Sequence, residues 1–269
     1  MRISFIGGGN MARALIQGLL DKGQPPGDVL VVELDGDKRQ QLQQDYGVVV
    51  SDQLAAAALV DVIVLAVKPQ QLRDVAIFLS SLLNKQLVVS IAAGIRTADL
   101  ARWLGGYGAL VRVMPNTPAQ VLLGVSALYA APGASPEQRQ LAGHLLAAVG
   151  TCVWLESEQQ MDAVTAVSGS GPAYMFYFLE AMQQAGVELG LDEGQTRVLA
   201  LQTMLGAAKL AAQSPESFAT LRAQVTSKGG TTEQAILTLQ GAGVKESIIK
   251  AMHAAASRSA ELGDILGKD

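Results

Sequence analysis

The stretch Phe5-Ile6-Gly7-Gly8-Gly9-Asn10-Met11-Ala12 places a G-x-G-x-x-A pattern between an apolar run and a helical one. Glycine at 7 permits a tight turn, glycine at 9 lets a pyrophosphate approach the backbone, and Ala12 keeps the helix close to the strand. The N–H groups that open the helix, around Gly8, Asn10 and Met11, would receive that pyrophosphate. A purely structural turn is the plain alternative. Dinucleotide binding is favoured by the strand before, the helix after and an acid ending the second strand. That acid is Glu33, in Val31-Val32-Glu33-Leu34-Asp35. It can accept hydrogen bonds from both ribose hydroxyls and would repel a 2′-phosphate, which favours NADH over NADPH. A solvated acid at a strand end is the other reading, and Lys38 and Arg39, a helical turn further on, could still reach a phosphate.

Two later stretches also invite a chemical reading. Ser168-Gly169-Ser170-Gly171-Pro172 echoes a nucleophile elbow, but Ser168 stands where that motif needs glycine and no strand leads into it. Pro172 instead suits the start of a helix, so a turn packed under the cofactor-binding region is expected. Ser227-Lys228-Gly229-Gly230-Thr231-Thr232 precedes a helical stretch. Thr231 or Thr232 would cap that helix, and an uncapped helix start would also attract a carboxylate; both roles are compatible. His144 and His253 lie on helices as surface or boundary residues, Cys152 reads as a small apolar residue of a strand, and Trp103 and Trp154 as packing residues.

The whole chain bounds these readings. It has 269 residues with a formal charge of -4, 49% hydrophobic but only 4% aromatic, with 28 glycines. Such a mixture suits close-packed helices and backbone approaches better than a β-sandwich. Up to residue 150 there are 12 basic and 11 acidic residues, and beyond it 8 and 13, so neither half offers nucleic acid a basic face. One cysteine and two histidines exclude a disulfide framework, and no metal is expected. The opening residues read as a strand and not as a signal peptide. No run approaches the ~18 apolar residues of a membrane span. The expected setting is the cytoplasm, with no membrane partner.

The elements alternate over the first two-thirds: strands at Ile3–Ile6, Val29–Leu34, Val48–Val50, Val62–Val67, Leu87–Ile91 and Leu110–Met114, with helices at Asn10–Asp21, Asp37–Asp45, Leu72–Leu83 and Ala98–Leu104 between them. This rhythm predicts an α/β fold with a doubly wound parallel sheet. Gly124–Ala130, Pro136–Val149 and Cys152–Leu155 continue it. Beyond about residue 160 strand signals stop, and helices are predicted at Pro172–Leu189, Glu193–Gln213, Pro215–Val225, Thr232–Leu239 and Lys245–Leu266. Their faces are too apolar for solvent. The expected division is a Rossmann-like dinucleotide-binding domain over 1–160 and an all-helical substrate-binding and pairing domain over 161–269.

Further peptides identify a family. Ala66-Val67-Lys68-Pro69, Ala92-Ala93-Gly94, Val111-Arg112-Val113-Met114-Pro115-Asn116-Thr117-Pro118, Ser168–Tyr174 and Val225–Thr232, in this order and spacing, closely resemble pyrroline-5-carboxylate reductase, over essentially the whole chain. The resemblance implies a reductase that completes proline synthesis by NAD(P)H-dependent hydride transfer to a cyclic imine. It implies that Gly7 to Ala12 hold the pyrophosphate and that Ala66, Val67, Lys68 and Pro69, with Ala92, Ala93 and Gly94, line the nicotinamide half of the cleft. It further implies that Ser227 and the N–H groups of Gly230 and Thr231 bind the substrate carboxylate, that Thr232 approaches the ring nitrogen as the catalytic residue, and that Glu158 lies near the proline site. Homodimers, and a higher assembly of dimers, are implied as well. Glu33-Leu34 departs from the small polar residue and arginine that many members carry there, which again favours NADH.

Two rivals fare worse. A β-hydroxyacid dehydrogenase would need a lysine four residues beyond Gly171, where Met175 stands, and none appears until Lys209. A non-catalytic nucleotide sensor would not be expected to keep Ser227 to Thr232 intact.

Overall fold

The computed structural model describes residues 1–268. Eight strands form one sheet: β1 (Ile3–Ile6), β2 (Val29–Val32), β3 (Val49–Ser51), β4 (Val62–Leu65), β5 (Leu87–Ser90), β6 (Leu110–Met114), β7 (Gly124–Ala130) and β8 (Gly150–Trp154), in the spatial order β3-β2-β1-β4-β5-β6-β7-β8. From β3 across to β6 every pairing is parallel. The crossovers carry α1 (Asn10–Asp21), α2 (Gly36–Tyr46), α3 (Pro69–Ser80) and α4 (Thr97–Trp103). Helices on both faces explain the unbroken apolar strands. In β4, Val62 and Val64 join one buried cluster while Ile63 and Leu65 join the other, as the period of two requires. Each fully buried Leu or Ile contributes about 2 kcal/mol.

The expectation of a parallel continuation fails at β7, which runs antiparallel to β6. Only a short connection containing the 3₁₀ helix Thr117–Val121 joins the two strands, and a parallel return needs a longer crossover. Helix α5 (Pro136–Ala147) supplies one afterwards, and β8 pairs parallel with β7. Helix α3 begins three residues before the predicted Leu72, because Pro69 takes its first position. Beyond β8, α6 (Gln160–Val164) passes into a π-helical turn at Thr165–Gly169 and then into α7 (Gly171–Glu188). The Ser168–Pro172 motif is therefore a widened joint between two helices, in place of the expected loop turn. The Ser170 N–H donates to Thr165 O (2.8 Å) and the Ser168 hydroxyl to Val164 O (3.2 Å). Asn116 Nδ2 donates to Ser168 O (3.3 Å), tying the joint to the β6–β7 connection.

The remaining helices are α8 (Glu193–Gln213), α9 (Phe218–Gln224), α10 (Thr231–Gly241) and α11 (Val244–Leu266). Ser217 caps α9, so that helix starts later than the predicted Pro215. Contacts divide the chain into two compact units: Met1–Ser170 with the chain from Ala254 onward, and Gly171–His253. The first unit owns both buried clusters. In the second, α7 and α8 pack through Gly186 against Thr196, yet Tyr177 is 74% exposed, Phe218 80% and Leu189 85%. Among the described residues no helix is long and apolar enough to cross a membrane.

Candidate active site

The parallel strands leave their C-terminal ends along one edge, and three of those ends are stitched together. Gly7 N donates to Val32 O (2.8 Å) and Ala66 N to Ile6 O (2.9 Å). Gly7 has φ +100°, and a Cβ there would lie 2.8 Å from Ala66 O, so only glycine makes this turn without strain. The edge opens into a cleft of about 590 Å³ whose walls include Gly7, Gly8, Gly9, Glu33, Ala66, Val67 and Lys68. Among the described residues nothing outside the local chain lies within 4 Å of a Cβ built on Gly9, and α1 begins there without a side-chain cap or an acid in its first turn. Asn10, Met11 and Ala12 form that first turn, Asn10 exposed and Ala12 buried. An open glycine before free helical N–H groups fits a pyrophosphate.

Glu33 is one wall residue of the cleft. Its Oε2 accepts from Gly8 N (3.0 Å) and its Oε1 from Asp35 N (3.1 Å). Arg39, a candidate phosphate ligand by sequence, points its guanidinium elsewhere: Nη1 donates to Glu33 O (2.7 Å) and Leu34 O (2.8 Å), and Nη2 lies 3.7 Å from Asp52. It braces the backbone that carries Glu33. Lys38 lines the cleft, with Nζ 3.8 Å from Asp35. Lys68 is exposed just before α3, and Pro69 opens that helix. Ala92, Ala93 and Gly94 follow β5, next along the same edge, but do not line this cleft.

Glu158 sits in a separate cluster. Its Oε1 accepts from Thr97 N (2.8 Å) and from Arg112 Nη1 (2.9 Å), and its Oε2 from the Thr97 hydroxyl (2.6 Å). The carboxylate thereby caps the start of α4 from a distance in sequence and neutralises Arg112, whose side chain is only 8% exposed. Sequence reading gave Thr97 and Arg112 no role. The signal was an arginine inside the apolar run Leu110–Met114, since a buried charge in a central strand must be paired. Oε2 keeps room for one further donor.

In the second unit the chain from Ser227 to Thr232 is exposed apart from half-buried Gly230. Gly229 has φ +73°, its N–H donates to Glu233 Oε2 (2.7 Å), and Gly230 N donates to Ser227 O (3.1 Å). Gly230 is the N-cap of α10 and no side chain caps it. Neither Thr231 nor Thr232 takes the capping role considered from the sequence, because both already lie inside the helix. A Cβ on Gly230 would stand 2.6 Å from Ser227 Oγ, so the serine hydroxyl lies directly over the helix start. Cys152 donates to Gly143 O at 3.6 Å, and burial pushes its thiol pKa up, which disfavours the thiolate. Trp103 is buried, and Trp154 packs under the Arg139 guanidinium at 4.8 Å.

Two family models match this chain: one described as pyrroline-5-carboxylate reductase dimerisation, over residues 158–262, and one as NADP oxidoreductase, coenzyme F420-dependent, over residues 2–94. A pyrroline-5-carboxylate reductase of Pseudomonas aeruginosa is 47% identical, with 99% of this chain and 98% of the relative covered. That of Haemophilus influenzae is 44% identical, covering 97% of each. The solved pyrroline-5-carboxylate reductase of Coxiella burnetii superposes with a TM-score of 0.92 at 42% identity, over 97% of this chain and 98% of the other.

The chain belongs to the pyrroline-5-carboxylate reductase family. A solved Plasmodium falciparum pyrroline carboxylate reductase, described with NADP bound, matches at 26% identity with a TM-score of 0.89, over 98% of each chain. The reductase family's dimerisation model starts at Glu158 itself and covers the helices with uncovered apolar faces. The chain is thus a nicotinamide-dependent oxidoreductase whose helical region matches a dimerisation model.

The Glu158 cluster yields one expectation for this reductase. Replacing Arg112 by Met leaves Glu158 without its buried counter-charge and should cost roughly 3 kcal/mol of stability. Adding Glu158→Gln should recover part of that loss, a coupling of about 1–3 kcal/mol read from a double-mutant denaturation cycle. Strict additivity would remove the ion pair from the account of this region.

Proposed function

We propose that this chain reduces the C=N bond of L-1-pyrroline-5-carboxylate to give L-proline, the last step of proline biosynthesis, with NAD(P)H as the reductant. The observation that carries this reading is the 47% identity to a named reductase along 99% of the chain, which spans both the glycine turn and the Ser227–Thr232 loop. When bound, the reduced nicotinamide supplies the hydride. Gly7 to Ala12 hold the pyrophosphate, while Ala66, Val67, Lys68 and Pro69 with Ala92, Ala93 and Gly94 flank the nicotinamide. Glu33, fixed at the cleft by Gly8 and Asp35, takes the ribose hydroxyls.

The substrate carboxylate is received at the start of α10 by the Ser227 hydroxyl and the N–H groups of Thr231 and Gly230, the latter sharing its hydrogen with Ser227 O. The Thr232 hydroxyl orients the ring nitrogen, and Glu158, with one acceptor position left on Oε2, supports the substrate site. A protonated imine is already electrophilic, so no strong protein acid is required. Holding the reacting atoms within about 3–3.5 Å is the protein's main contribution. Dinucleotide binding is assigned to residues 1–160, and substrate binding and pairing mainly to 161–269, with Glu158 lying just before that boundary. The reading includes a homodimer and a larger assembly built from it; exposed Tyr177, Leu189 and Phe218 support pairing, as do Phe176, Leu179 and Leu201 along a groove between α7 and α8 that charged side chains also line.

Glu33 and the diversion of Arg39 into the backbone support NADH as the preferred donor. Initial rates with L-1-pyrroline-5-carboxylate, NADH and NADPH in parallel should give L-proline, with higher efficiency for NADH. Glu33→Ser with Leu34→Arg should move the efficiency ratio toward NADPH by roughly tenfold or more, the worth of one charge-assisted contact. An unmoved ratio would remove Glu33 from cofactor choice. Thr232→Ala should lower kcat/KM for the imine about 10- to 100-fold and leave the cofactor KM within about twofold. Normal efficiency in that variant would take Thr232 out of the mechanism.

A further inference from the structure

The segment after β5 is backed by residues far away in the chain. Gly94 has φ +78°, and a Cβ there would meet Leu266 Cδ1 at 3.3 Å and Gly263 N at 3.7 Å. In turn, a Cβ on Gly263 would stand 3.2 Å from both Gly94 O and Arg96 Nη2. Arg96 Nη2 donates to Asp264 Oδ1 (2.6 Å) and to Ala260 O (3.4 Å). The Ser259 hydroxyl donates to Asp162 Oδ1 (2.7 Å), and Leu266 packs on the cluster that contains Ile95 and Leu100. A glycine-bearing loop has little conformational preference of its own, so its position is set by what it packs against. On one flank that is Glu158, through Thr97; on the other it is the end of α11.

We propose that the last turns of α11, Ser259 to Leu266, are a positioning element for the Ala92–Gly94 loop and through it for the nicotinamide half of the cofactor. The proposal rests on the assignment of that loop to the nicotinamide. Its logic is geometric. Hydride transfer tolerates little misplacement, and a shift of about 1 Å from a remote change is enough to slow a reaction severely. Side chains of α11 need not touch the cofactor to matter.

The test uses the full-length protein with Gly263→Ala, which forces a methyl group against Gly94 O, and Asp264→Ala, which removes an exposed partner of Arg96 and leaves the fold intact. Amide hydrogen exchange over residues 94–100 should quicken about tenfold in both. The KM for NADH should rise and kcat should fall, each about fivefold, while affinity for ADP-ribose, which lacks the nicotinamide, stays within about twofold. Asp264→Glu should restore most of the loss. Unchanged exchange in both variants would overturn the proposal alone. Equal weakening of NADH and ADP-ribose would also overturn it, by revealing a general structural role. Faster exchange with unaltered NADH kinetics would overturn the assignment of the loop to the nicotinamide, and the proposal with it.

Discussion

Where β1 ends, the chain must reverse into α1 with its backbone pressed against the end of β4. A Cβ at Gly7 would be 2.8 Å from Ala66 O, and no side chain tolerates that distance at φ +100°. This contact fixes how far α1 starts from the sheet edge, and with it the distance between Gly9, Glu33 and Ala66 across the cleft. The parallel order β2-β1-β4-β5 does the rest, because it brings the segments after four strands to one edge, where doubly wound folds bind their ligands.

Backbone N–H groups, more than charged side chains, are the donors in both proposed anion sites. Helices α2, α5, α8 and α9 start under the side chains of Asp35, Ser135, Asp192 and Ser217. Helices α1 and α10 start at Gly9 and Gly230 with no side-chain cap; α3, α4 and α6 also lack one from the N-cap residue, but α3 opens on a proline and α4 receives the Glu158 carboxylate. Free N–H groups are a cost to a helix unless something accepts from them, and a pyrophosphate or a carboxylate is a natural acceptor. Charged side chains near the cleft act mainly on protein groups. Arg39 holds the backbone of Glu33 and Leu34, Glu33 holds Gly8 and Asp35, and Glu158 joins α4 to β6.

Much of the fold was legible because local chemistry and tertiary packing agree. Asn10–Asp21 is a helix at the predicted bounds, since Gly9 ends the turn and Leu15 and Leu19 face the sheet. The strands β1, β4 and β5 are apolar runs too short for anything else. Other features depended on facts that sequence spacing does not carry. The direction of β7 follows from the length of its connection, which a strand pattern does not report. The π-helical joint at Thr165–Gly169 is closed by an i to i+5 hydrogen bond, Ser170 to Thr165, which no side-chain pattern reports. The partners of Glu158 lie at Thr97 and Arg112, and the contacts of Gly94 lie at Gly263 and Leu266; separations of that size leave no periodic trace. For the candidate site, the glycine turn, Glu33 and the residues after β4, all singled out in the sequence, line one cleft, whereas the bracing by Arg39 became visible only once its guanidinium was placed.

Calorimetric titration of NADH into wild-type protein and Gly7→Ala probes the constraint on which the site depends most directly. The expected result is an affinity at least about tenfold weaker in the variant, from strain and the clash with Ala66 at the turn, with the heat-unfolding transition still cooperative. Wild-type affinity for NADH in a folded Gly7→Ala protein would contradict the placement of the dinucleotide on this turn.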